Sequence, residues 1–396
     1  ITYDSTNGYI VLTDANGGVI KFSSIENLTV GDYAYENSPG GLSNAFWNQA
    51  EKIIYLYNGG NVGMGTWDLG VSDEVIITGI QGDDITILGS DGNDTVNLHP
   101  RYGGIGNRET GEGYWGNWTV NLGAGDDTIH RASLKNGDSI DMGAGDDIIT
   151  IEVTGSNGMP TFANLNLTKL DGGTGSDTLR FSGSTTLSAE LTLTTGGATN
   201  FENIIGTSAS ETIKGDANAN KLEGIEGNDT LYGYAGNDTL EGGTGDDTLD
   251  GGSGTDTLTG GNGNDTFVIR TGDGSTTLAN ANVITDFQDG TDIIGLDNGL
   301  AFSQLTIEQG TGAYADHTLV KVTATGEYLL IIQNTTASTI TAADFSSTST
   351  DPQTFTGTSG NDVFVGGAGN DTFNGGAGSD GLYGNGGNDT FNITDK

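Results

Sequence analysis

The chain has 396 residues, with 13 basic against 53 acidic side chains for a net charge of −40, and it holds 69 glycines, four prolines and no cysteine. That length allows two or three domains, while the charge disfavours nucleic acid and anionic membranes, both of which are met by positive charge. The composition excludes collagen and Pro-rich linkers, disulfide bracing is impossible, and no stretch is long and apolar enough to span a bilayer.

The first seventy residues contain strand-like runs. Tyr9-Ile10-Val11-Leu12-Thr13 and Gly18-Val19-Ile20-Lys21-Phe22 read as strands around a turn at Asn16-Gly17. Ser23-Ser24-Ile25-Glu26-Asn27-Leu28 echoes Asn200-Phe201-Glu202-Asn203-Ile204-Ile205, so the N-terminal part reads as the start of one continuous coil. The alternating run Glu74-Val75-Ile76-Ile77-Thr78 fits a strand of that coil. A short Gly-Asp phrase then recurs at uneven spacing. It places Asp94, Asp127, Asp147 and Asp177 each two residues before a Leu, Ile or Val, and Asp84 directly before Ile85. Residues 1–205 are therefore expected to form an irregular parallel β-helix or β-roll with scattered metal sites at those aspartates.

One segment departs from the acidic background. His99, Arg101, Tyr102, Arg108, Tyr114, Trp115, Trp118, His130 and Arg131 gather three of the five arginines and two of the three histidines among aromatic residues. Aromatic faces beside basic groups suit sugar rings and uronate carboxylates. A packed loop or a subunit contact is the competing reading of His99, Arg101, Tyr102, Trp115, Trp118, His130 and Arg131.

Between Gly206 and Arg270 seven nine-residue units follow without a break, most of them G-G-x-G-x-D-x-U-x with U bulky and apolar. Asp229, Asp238, Asp247, Asp256 and Asp265 stand nine apart, with Glu211 and Asn220 in the same register upstream. Ile213, Leu222, Leu231, Leu240, Leu249, Leu258 and Phe267 keep step. A fixed short period means stacked, near-identical units, and a Gly/Asp-rich linker has no reason to keep an apolar residue at every ninth place. In Gly242-Gly243-Thr244-Gly245-Asp246-Asp247-Thr248-Leu249-Asp250 the glycines let the backbone turn its carbonyls toward one point and the sixth residue adds a carboxylate. Hard oxygen donors in flexible geometry suit Ca²⁺ better than Mg²⁺ or zinc. Two units make one turn, so each ion joins loops two units apart, as Asp229 with Asp247. The expected donors are Gly227 and Asp229, Gly236 and Asp238, Gly243, Gly245 and Asp247, Gly252, Gly254 and Asp256, and Gly261, Gly263 and Asp265. Extra acids such as Asp246 and Asp250 read as solvated surface charge.

Residues 271–345 carry strand-like runs, His317 to Val322 and Glu327 to Ile332, and read as a β segment that covers the open edge of the coil. Residues 346–354 read as a Ser/Thr-rich linker. Residues 355–396 repeat the nonamer, with candidate ligands Asp362, Gly367, Gly369, Asp371, Gly376, Gly378, Asp380 and Asp389, each aspartate followed by Phe364, Phe373, Leu382 or Phe391. This second roll has no covering segment of its own and reads as truncated.

The nonamers resemble the RTX family of calcium-binding repeats. The resemblance implies an all-β, right-handed parallel β-roll, with 271–345 as its capping segment. It also implies several bound Ca²⁺ ions and type I secretion from a Gram-negative bacterium to the cell surface or medium. Mannuronan C-5 epimerases join a β-helix to such modules, but His99-Pro100-Arg101 does not reproduce their Asp-Pro-His motif. H-E-x-x-H, G-x-S-x-G, P-loop and dinucleotide fingerprints are all missing, so no catalysis is expected. One inward side chain per nine ordered residues leaves apolar burial short of the conformational entropy lost. Calcium makes up that deficit by binding the folded state and removing carboxylate repulsion. The expectation is a secreted calcium-binding protein with a structural role, a surface-layer subunit or adhesin region that folds and self-associates outside the cell. The alternatives are a protein that binds or modifies a cell-surface polysaccharide, and the C-terminal part of a secreted enzyme or toxin.

Overall fold

The computed structural model describes residues 2–4, 9–13, 19–23, 27–29, 44–48, 53–57, 65–68, 74–78, 85–89, 92–97, 117–132, 134, 137–152, 169–182 and 190–392. Apart from short 3-10 turns, every regular element among them is a β-strand. The chain divides into two compact units, one of residues 1–186 and 192–205, the other of residues 187–191 and 206–396.

In the first unit the opening strands are not coil turns. Thr2–Asp4, Tyr9–Thr13 and Val19–Ser23 form an antiparallel meander, and Asn27–Thr29, Asn44–Asn48 and Ile53–Tyr57 form another. The strand pair around Asn16-Gly17 is thus present, but its short connection permits only antiparallel pairing, so these strands cannot begin a parallel coil. Parallel winding starts where Ile53–Tyr57 pairs with Glu74–Thr78 and Gly65–Asp68 with Ile85–Leu88. From there two parallel sheets face each other. Val96, Ile129, Ile149, Leu179 and Ile204 stack along one, and Ile87, Val120, Ile140 and Leu170 along the other. All nine are at most 1% exposed and form two inward files, which Leu122, Met142, Ile151 and Phe181 extend as further buried side chains.

The second unit is more regular. Leu222, Leu240, Leu258 and Ile284 align in one parallel sheet, and Ile213, Leu231, Leu249, Phe267, Ile294 and Phe345 in the other. In short repeat strands such as Thr212–Lys214 and Thr230–Tyr232 only the middle residue is buried, and the Thr before it supplies β-propensity. The segment 271–345 continues the coil through Asn282–Ile284 and Ile293–Leu296. It then adds an antiparallel run, Leu305–Gln309, Thr318–Val322 and Tyr328–Ile332, whose last strand extends the sheet beside Asn282–Ile284. Ala281, Leu319 and Ile331 form a small separate core beneath it.

Residues 346–354 are a turn of the coil and not a free linker. The amide of Ser347 donates to the Gly366 carbonyl at 2.8 Å, that of Ala368 to Ser349 at 3.0 Å and that of Thr348 to Leu296 at 2.9 Å. The serines fit because their hydroxyls accept amide hydrogens two residues on, Ser349 to Ser347 and Asp351 to Ser349, both at 3.2 Å. The second array follows in the same register, with Phe355, Phe373 and Phe391 stacked at 4.8 and 5.0 Å between ring centroids.

Candidate metal centre

The aspartates at the sixth place of the nonamer form a ladder. The amide of Asp229 donates to Oδ1 of Asp247 at 2.7 Å, that of Asp238 to Asp256 at 2.9 Å and that of Asp247 to Asp265 at 2.9 Å. Each step spans 18 residues, one full turn of the roll. The first unit repeats the ladder through Asp94, Asp127, Asp147 and Asp177, over steps of 33, 20 and 30 residues. Uneven turns therefore still return each aspartate to the same place.

Only one oxygen of each carboxylate is used in this way. Oδ2 of Asp127, Asp147, Asp177, Asp229, Asp238, Asp247, Asp256 and Asp265 is buried and has no hydrogen-bond partner. A buried carboxylate oxygen without a donor or counter-charge is costly. Burial pushes the carboxyls of Asp127, Asp177, Asp229 and Asp256 up to about 7, against the amide hydrogen bonds that lower them, and those of Asp147, Asp238 and Asp265 up to about 6.

The loop backbone shows why these oxygens stay open. In all eight units the second and fourth residues have positive φ, as at Gly243 (113°) and Gly245 (133°). That turns the second amide away from the carboxylate. Where the second residue lies outside this region, the loop closes on its own acid. Thr358 donates its amide to Asp362 Oδ2 at 2.7 Å, Gly367 to Asp371 Oδ2 at 2.9 Å, Thr207 to Glu211 Oε2 at 3.2 Å, and Asp216 to Asn220 Oδ1 at 2.8 Å. The repeats thus fall into open and closed loops, and Asp362 and Asp371 belong to the closed class.

Successive loops also approach very closely. A Cβ built on Gly245 would fall inside the carbonyl oxygen of Gly227, and one on Gly243 inside that of Ile225. Backbone carbonyls therefore face the space between turns, as a cation shared by two loops requires. Among the described residues no three His, Cys, Asp or Glu side chains converge. An ion here would draw one carboxylate from each loop and take its remaining donors from carbonyls, a hard-oxygen set that fits Ca²⁺.

The other expected positions separate. Gly227, Gly236, Gly252, Gly254, Gly261, Gly263, Gly376 and Gly378 all have positive φ; Gly367 and Gly369 do not. Asp94 is buried, whereas Asp380 and Asp389 lie in the more exposed second array. Asp84, His99, Arg101, Tyr102, Arg108, Tyr114 and Trp115 lie outside the described residues. Trp118 is 6% exposed, a core residue at the start of its strand, which corrects its reading as a contact surface. His130 is exposed on the strand Thr128–Ala132, which also holds Arg131. Asp246 does face solvent and accepts from the amide of Asn264 at 2.9 Å. Asp250 does not: it is 8% exposed and paired with Arg270, whose guanidinium permits its burial.

The ladder members missed in the sequence include Asp138, which accepts from the amide of Trp118, and Gln353, whose amide donates to Asp371, besides three more. Asn282 accepts from the amide of Asp256, Asp292 from Asp265, and Glu202 from Asp177. Each of the five lies two residues before an apolar strand residue (Ile284, Ile294, Ile204, Ile140, Phe355), the local signal that would have found them.

The model of the family described as RTX calcium-binding nonapeptide repeat (4 copies) matches residues 205–240, 232–267 and 356–391. Both arrays are thus RTX calcium-binding repeats on a parallel β-roll. No curated protein matches the chain. Among solved structures it is similar to the AlgE6R2 subunit of the Azotobacter vinelandii mannuronan C5-epimerase, 26% identical over 33% of this chain and 89% of that one, TM-score 0.27. The AlgE6R3 subunit is 27% identical over 36% and 80%, TM-score 0.18. Extracellular lipase LipA from Serratia marcescens is 16% identical over 69% and 44%, TM-score 0.23. Among the described residues no helix is long and apolar enough to cross a membrane.

Proposed function

We propose that this protein is a secreted, calcium-folded scaffold with a structural role at the cell surface, a surface-layer subunit or a region of an adhesin, and that it is not an enzyme. The observation that carries the calcium switch is the file of buried, unpartnered Asp oxygens from Asp229 to Asp265. Without cations these charges repel one another in a roll whose core is one side chain wide. With calcium they become cross-links between turns. The ions would be held by Asp127, Asp147, Asp177, Asp229, Asp238, Asp247, Asp256 and Asp265, with carbonyls of the adjoining loops. Calcium supplies charge neutralisation and coordination there; the chain supplies the positive-φ loops that keep one oxygen of each carboxylate free.

Extracellular calcium modules bind with Kd of about 10⁻⁴–10⁻³ M, far above cytosolic calcium. The chain would therefore stay unfolded during synthesis and export and wind up outside, as RTX repeats, typical of secreted Gram-negative proteins, suggest. Far-UV circular dichroism during a calcium titration tests the switch. A cooperative gain of β signal near millimolar calcium is expected, and a full signal in excess chelator would overturn it. Light scattering and negative-stain microscopy at saturating calcium test the surface role. Ordered sheets or filaments support a layer subunit, a compact monomer an adhesin region.

A further inference from the structure

A recess of about 160 Å³ opens on the first array, lined by Tyr232, Tyr234, Asp250, Arg270 and Asp273 together with Gly252 and Ser253 of the Asp256 loop. Tyr234 occupies the second place of its nonamer, where the pattern asks for glycine, and it keeps the glycine conformation at φ 73°. A bulky residue there carries strain. Burial does not explain it, since the side chain is 51% exposed. The ring lies against Tyr232, with centroids 6.0 Å apart and planes 19° from parallel. Exposed Tyr234, backed by the half-buried Tyr232, thus forms an aromatic platform at the recess.

The polar wall is also unusual. Asp250, the cross-strand neighbour of Tyr232, is 8% exposed; one of its oxygens holds Arg270, and Oδ1 has no hydrogen-bond partner. Asp273 meets the same guanidinium at 3.0 Å, and Asp297 meets its Nε at 2.9 Å. Three carboxylates share one cation, so the wall is fixed in place and carries net negative charge.

We infer that this recess binds one neutral pyranose ring of a glycan. Aromatic faces stack on the C–H face of a sugar, and carboxylate oxygens accept its hydroxyl hydrogens. Asp250 Oδ1 supplies such an acceptor, already desolvated and held by Arg270. Uronate and sulfated sugars are disfavoured by the surplus carboxylates. The volume is below that of drug-sized pockets and suits a single ring of a chain that continues into solvent. This site goes beyond the calcium scaffold and does not depend on it for its chemistry.

Saturation-transfer NMR on the whole chain in 10 mM calcium chloride tests the inference, with cellotetraose, mannotetraose and galactotetraose as probes and trigalacturonate as the anionic control. Transfer to at least one neutral tetrasaccharide is expected, weakened at least tenfold in Tyr234→Gly. That substitution restores the repeat pattern and relieves the backbone, so its calcium-dependent circular dichroism should match or exceed the parent's, which separates lost binding from lost fold. The inference is overturned by no transfer to any neutral probe, by equal transfer in Tyr234→Gly, or by transfer to trigalacturonate alone.

Discussion

The amide of Asp229 donates to Oδ1 of Asp247 one turn away at 2.7 Å, while Oδ2 of both residues is buried without a hydrogen-bond partner. One oxygen therefore ties neighbouring turns together through the backbone, and the other is left for a cation. The roll's architecture and its metal requirement meet in a single side chain.

That division predicts different outcomes for two substitutions. Asp247→Asn keeps an acceptor for the Asp229 amide and removes the charge. It should lower the number of bound calcium ions and raise the calcium concentration at the folding midpoint. Asp247→Ala removes both functions, adding a penalty of about 1–3 kcal/mol for the amide left unpaired. Calorimetric calcium titration and denaturant melts of both variants separate the two effects.

Open and closed loops should differ in the same assay. In Asp362 the free oxygen is already taken by the Thr358 amide at 2.7 Å. Asp362→Asn should therefore leave the number of bound calcium ions unchanged, whereas Asp256→Asn should lower it. An equal loss in both variants would remove the distinction between the two kinds of loop.

The direction of the pH response follows from burial. Folding raises the carboxyls of Asp229 and Asp256 from 3.8 to about 7 and those of Asp238 and Asp265 to about 6. Between about pH 4 and 7 the folded state then binds more protons than the unfolded one. In chelator, this contribution to stability is fully present below about pH 4 and lost as pH rises through 6 to 7. Calcium binding runs the other way, because protons compete for the same oxygens, and should weaken as pH falls through that window. Calcium titrations followed by circular dichroism across pH 4 to 8 should show the folding midpoint moving to higher calcium as pH falls.

Loop spacing makes some glycines far less replaceable than others. A Cβ at Gly245 would overlap the Gly227 carbonyl, but one at Gly290, also at positive φ, would meet nothing within 4 Å. Gly290→Ala should cost about 1–2 kcal/mol, the ordinary penalty of that conformation. Gly245→Ala should prevent the two turns from closing and abolish the calcium-induced dichroism signal.

In the core, Leu240 is fully buried between Leu222 and Leu258. Leu240→Ala should destabilise the calcium-loaded roll by about 2–5 kcal/mol, measured by denaturant melts. Because each turn contacts only its neighbours, amide exchange should speed up most in the adjoining turns.

Much of this was legible in the sequence because the unit is short and strictly periodic. The spacing from Asp229 to Asp265 set the turn length, and the apolar residue two places on marked the inward strand position. The signal weakened where turns lengthened. Asn282 and Asp292 lie 26 and 27 residues beyond their ladder partners, so a nine-residue template passed over them. The run from Ser346 to Pro352 looked like a linker because hydroxyl-rich segments suit turns inside a coil as well as tethers between domains.

By itself the sequence determined the parallel roll, its two-unit turn and the cation it calls for, because period, glycine and carboxylate each have one physical use at that spacing. Only the tertiary structure decided which carboxylates remain free. That depends on whether the second amide of a loop points toward its own acid, as Thr358 does to Asp362, or away, as φ of 113° at Gly243 requires. It also decided that Asp250 is buried against Arg270, 20 positions on, since winding of the chain brings Arg270 back beside the turn that holds Asp250.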